Sequence, residues 1–114
     1  METSNSLVVI WSSNDRDVAL QMVFLYVLNS RLKGWWEDVT LIIWGPSAEL
    51  LSYDLELQME LEKIKAGGVK IQACRKCADN YGVSEKLEEL GVEVIYMGVP
   101  LTEYLKENRH ILTF

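Results

Sequence analysis

Val69-Lys70-Ile71-Gln72-Ala73-Cys74-Arg75-Lys76-Cys77-Ala78-Asp79-Asn80-Tyr81-Gly82-Val83 decides how this chain is read. Val69 to Ala73 is a short strand. Cys74 follows at its carboxyl end, and a short helix runs on through Asn80 to a stop near Gly82. A strand that turns directly into a helix is half of a βαβ unit, and such units build parallel sheets.

Working outward, the same alternation repeats. Upstream, Ser47 is expected to cap a helix that carries Leu50, Leu57, Leu61 and Ile64 on one face and ends at Gly67-Gly68. Before it, Val39-Thr40-Leu41-Ile42-Ile43-Trp44 is a strand broken by Gly45-Pro46. A long helix from Asp15 to Lys33 precedes that strand, and Gly34 supplies the left-handed residue that stops it. Its stretch from Val18 to Leu28 has almost no polar face, so it calls for a second apolar partner, expected to be another subunit. The chain opens on Leu7-Val8-Val9-Ile10-Trp11, an apolar run typical of a strand buried on both faces.

Downstream, Ser84 is expected to cap a helix through Leu90, with Gly91 as its stop. Val92 to Tyr96 is a fourth strand. Pro100 belongs at a helix start, a helix spans about Thr102 to Asn108, and Ile111 to Phe114 forms a short last strand. The fold class that follows is α/β: one domain over residues 1–114, with a parallel sheet of about five strands and helices on both faces.

The chain has 114 residues, 49% hydrophobic and 25% charged, with net charge −6 and a pI near 4.7. That suits one globular domain without a disulfide framework. The acidic balance and the lack of a basic stripe argue against nucleic acid and anionic membranes as partners. The polar start, Met1 to Ser6, lacks the pattern of a signal peptide, so a cytoplasmic location is expected. Two cysteines in a reducing compartment read as reactive, metal-binding or simply buried thiols rather than a structural bridge.

Ligands gather at the carboxyl ends of parallel strands, where Cys74 lies. A thiol at a helix start ionises more readily, and Arg75 and Lys76 are expected to act in the same direction. Cys77, one helical turn on, shares its side with Cys74. The pair suits dithiol–disulfide cycling, or carriage of a terminal sulfur on Cys74 with Cys77 able to release it. The plain alternative is two small residues buried near a helix start. Two cysteines and the distant His110 do not complete a four-ligand zinc site, and no other cofactor is called for. Ser12 and Asn14, after the first strand, are candidate anion-binding residues; helix capping explains them more simply. Trp35-Trp36 adds aromatic surface of the kind found in interfaces.

Taken together, the Val8-Val9-Ile10-Trp11-Ser12 opening, the Leu41-Ile42-Ile43-Trp44-Gly45-Pro46 segment and above all the Val69 to Val83 segment resemble the DsrE/DsrF-like (YchN-like) sulfur-relay proteins. The resemblance covers nearly the whole chain. It implies a parallel-sheet domain that assembles as a trimer or hexamer. It also implies a cysteine after the third strand, here Cys74, that accepts sulfur as a persulfide and hands it between protein partners. Cys77 is not required by that pattern. The leading expectation is therefore a sulfur carrier or sulfurtransferase. A CxxC redox protein and a non-catalytic oligomeric binding protein stand as alternatives.

Overall fold

The computed structural model describes residues 5–114. Its strands are β1 (Ser6–Trp11), β2 (Asp38–Ile43), β3 (Lys70–Cys74), β4 (Glu93–Ile95) and β5 (His110–Thr113). All pair in parallel, in the order β4-β3-β2-β1-β5. The α/β reading therefore holds. The chain walks from β1 to β4 by adjacent steps, then crosses the whole sheet to lay β5 along the far side of β1.

Helices α1 (Arg16–Val18), α2 (Phe24–Leu32), α3 (Pro46–Tyr53), α4 (Leu55–Ala66), α5 (Arg75–Tyr81) and α6 (Ser84–Glu89) serve the adjacent steps. Right-handed crossovers place all of them on one face. Their apolar residues join Leu7, Val9, Trp11, Leu41, Ile43, Ile71, Ala73 and Val94 in the main core. The alternate strand residues turn to the other face. There a smaller core of Val8, Ile42, Cys74, Met97 and Tyr104 lies under α7 (Gly98–Lys106), the helix of the long crossover.

Several boundaries differ from expectation. The first helix is continuous but contains a π-helical turn, Ala19–Val23, in which the Phe24 N–H bonds back to the Ala19 carbonyl. The expected helix from Ser47 to Gly67 is two helices that part at Asp54, whose carboxylate accepts the Leu57 N–H at 3.0 Å and caps α4. Ser47 is not the cap of α3; Gly45 is, with Pro46 in the first turn. The buried Ser47 hydroxyl instead donates to the Trp11 carbonyl and ties the ends of β1 and β2 together. Ser84 likewise caps nothing, because its hydroxyl bonds Asp79. Helix α7 starts earlier than expected, at Gly98, and takes Pro100 into its first turn, where no N–H is missed.

Candidate functional site

Cys74 ends β3 in extended geometry (φ −69°, ψ 115°) and serves as the N-cap of α5. Its side chain turns to the smaller core, opposite the α5–α6 face, and is 6% exposed. Cys77 sits in the first turn of α5, half-buried, and packs against the same cluster with Trp44 and Ile95. Both cysteines are free. Gly82, at φ 72°, provides the left-handed stop of α5.

The Cys77 thiol is held above its ordinary value. Burial is the main cause, and the hydrogen bond it shares with the Cys74 sulfur adds to it. The Gly45 N–H at the start of α3 also bonds the Cys77 sulfur and pulls the other way. Gly45 adopts φ 77°, ψ −141°, a conformation that side chains oppose. The end of β2 thus reaches the cysteine pair through its backbone. Sequence reasoning missed Gly45 as a site residue; its signal was the Gly-Pro break directly after a strand.

The other candidates are placed differently. The Arg75 guanidinium donates to Glu88 (3.0 Å) and to the Val94 carbonyl (2.9 Å), so it braces α5 against α6 and β4. Lys76 is exposed. Ser12 donates to the Phe114 carbonyl at 2.8 Å and fastens the end of β5. Asn14 is exposed, and Asp15 caps the first helix by accepting the Asp17 and Val18 N–H groups. These residues do not converge on the sulfurs. The His110 ring packs against Trp36, with centroids 5.3 Å apart. Among the described residues, no three His, Cys, Asp or Glu side chains cluster as a metal site would require. Nor is any helix among them long and apolar enough to cross a membrane.

No protein-family model and no curated protein matches the chain. Solved structures do. BT1422 of Bacteroides thetaiotaomicron, a conserved protein of unknown function, is 37% identical over 100% of both chains, with a TM-score of 0.95. The chain belongs to the BT1422 family. Members of the BT1422 family share their architecture more widely. The ychN protein from E. coli covers 98% of this chain with 100% of its own, at 18% identity and TM-score 0.74. MTH1491 from Methanobacterium thermoautotrophicum covers 97% with 99% of its own, at 19% identity and TM-score 0.75. The BT1422-family domain thus has the DsrE/DsrF-like fold that the sequence resembles.

Proposed function

We propose that this protein carries sulfane sulfur on its cysteine pair, with the persulfide on Cys74 and Cys77 as the releasing thiol. The observation that carries the reading is the contact between the two sulfurs at the carboxyl end of β3, an inner strand of the sheet. The DsrE/DsrF-like fold supports it.

In the loading step, the Cys74 thiolate attacks the terminal sulfur of a donor persulfide. An S–S bond forms on Cys74, and the donor leaves as a thiolate. A partner's thiolate then attacks the same terminal sulfur and regenerates Cys74. Without an acceptor, the Cys77 thiolate can attack the Cys74 sulfur itself, forming a disulfide and expelling hydrosulfide. No outside oxidant is needed. The added sulfur extends about 2 Å beyond Cys74, so a thiol at the edge of the smaller core can present a cargo while itself staying largely covered.

The same contact favours a second reading, a thiol–disulfide redox pair, because two sulfurs in contact can bridge. Intact mass after incubation with a low-molecular-weight persulfide separates the two. Sulfur carriage predicts a gain of one sulfur atom that persists in Cys77→Ser and vanishes in Cys74→Ser. A gain that requires Cys77 instead would reverse the assignment. No gain even in Cys77→Ser, where the persulfide cannot be resolved, with loss of two hydrogen atoms in the oxidised wild type alone, would replace carriage by redox cycling.

A further inference from the structure

Arg31, Glu37, Asp38, Thr40, Lys70 and Arg109 line a polar cavity of about 280 Å³ at the amino ends of β2 and β3. Lys70 opens β3 and Cys74 closes it, so roughly 13 Å of strand separates this cavity from the sulfurs. Two of its cations are held in place. The Arg109 guanidinium lies over the Tyr104 ring, 4.7 Å from its centre, and its Nε bonds Glu107 at 2.8 Å. The Arg31 guanidinium lies against Gly68, which adopts φ 96°. A Cβ at Gly68 would come within 3.1 Å of Arg31 Nε, so a side chain there would crowd the guanidinium. The third cation, Lys70, pairs in register with Thr40, and the two share a strand face. Thr40 is only 3% exposed, yet its hydroxyl has no hydrogen-bond partner among the described residues. Nor is Arg31, Lys70, Glu37 or Asp38 ion-paired among them, although all four face one cavity.

We infer that this cavity binds an acidic α-amino acid. Three cations beside two carboxylates leave the lining with one positive charge, in a protein of net charge −6. The complement is a small molecule with two anionic groups and one cationic group. Arg31 and Arg109 supply the planar forks that match carboxylates, and Lys70 adds a point charge between them. Glu37 and Asp38 receive the ammonium. The buried Thr40 hydroxyl gains the hydrogen bond it otherwise lacks. A plain dianion would meet the two carboxylates with nothing to offer them, and a plain cation would meet three like charges. Two guanidinium groups already held lower the ordering cost of binding. The volume lies just under the roughly 300 Å³ at which pockets for drug-sized ligands begin, so it suits a small metabolite.

The test uses the full chain with Cys74→Ser and Cys77→Ser, so its outcome is independent of sulfur carriage. Calorimetric titration with L-glutamate at low salt should show one saturable site with Kd of about 1 mM or tighter. Glutarate, which lacks the ammonium, and 4-aminobutyrate, which lacks one carboxylate, should each bind about tenfold more weakly or worse. Arg31→Gln and Lys70→Gln should each weaken glutamate by about tenfold or more, with the circular dichroism unchanged. Glu37→Gln combined with Asp38→Asn should weaken glutamate yet strengthen glutarate, a reversal that general loss of structure does not produce. No saturable binding of glutamate would overturn the inference. Glutarate or inorganic phosphate binding as tightly as glutamate would also overturn it, by making the cavity a plain anion site. So would glutamate binding that neither Arg31→Gln nor Lys70→Gln alters. The comparison of ligands on the parent protein decides the matter even if a variant fails to fold.

Discussion

Gly45 and Cys77 show how backbone conformation sets the chemistry of a side chain. Burial and the Cys74 contact hold the Cys77 thiol above its ordinary value of 9.0, while the Gly45 N–H works to lower it. Alkylation of Cys77, followed by peptide mass against pH, should therefore show a midpoint above 9.0 in the wild type. Cys74→Ala removes a contact that raises the value, so the midpoint should fall. Gly45→Ala should move it further up, because an alanine at φ 77° relaxes the turn and withdraws the N–H. No heavy atom lies within 4 Å of the added methyl, so the loss of stability, about 1–3 kcal/mol, comes from the backbone alone. The pH linkage has a definite sign. A thiol that the fold keeps protonated gives stability that is complete below its unfolded value and fades as pH rises past it, because the unfolded chain then releases its proton first. A Cys77 midpoint unmoved by both substitutions would mean that neither contact acts on the sulfur.

Asp54 does the equivalent work at the level of the element. It ends α3, caps α4 through the Leu57 N–H, and receives Arg16 Nε at 2.7 Å, so one carboxylate joins the first helix to the α3–α4 break. Burial alone would raise its pKa. The hydrogen bonds from Leu57 and Arg16 outweigh that and hold it below the ordinary 3.8. Its contribution is thus present above the unfolded value and is lost as pH falls through the lowered folded value. Asp54→Ala should cost about 1 kcal/mol in urea unfolding at neutral pH, and the difference should shrink toward strongly acid pH. An unchanged gap between the two proteins at acid and neutral pH would show that capping charge is not the cause. This break was hidden in the sequence because Leu50, Leu57, Leu61 and Ile64 keep a helical period across it. The π turn was hidden for a related reason: a shift from one carbonyl to the next leaves no mark on composition. The strand–Cys–helix junction was legible, since both periods and the Gly82 stop are local. The Gly45 contact was not, because it depends on which strand ends lie side by side.

At the scale of the molecule, the alternation of strands and helices was enough for a parallel sheet but not for its order. Sequential strands usually neighbour one another, yet β5 passes β4, β3 and β2 to reach β1. That crossover leaves the second face of the sheet to α7, and the face carries Cys74. Tyr104 is the buried residue of α7. Its hydroxyl donates to Gln72 Oε1 at 3.0 Å, Gln72 donates to Glu93 at 3.1 Å, and Arg109 lies over its ring. If α7 governs access to Cys74, Tyr104→Ala should cost about 3 kcal/mol and also speed native-state labelling of Cys74, measured in Cys77→Ser. Tyr104→Phe keeps the ring but leaves the Gln72 oxygen without its donor. It should cost about 1–3 kcal/mol with a much smaller gain in labelling. Global unfolding would also expose the thiol, so the comparison needs Leu61→Ala, a cavity of similar cost in the main core. Labelling that rises more in Tyr104→Ala than in Leu61→Ala at matched stability means that the smaller core opens on its own and α7 meters access to the sulfur. Equal rates would mean that both faces unfold together, and that a partner must reach Cys74 through the edge as it stands.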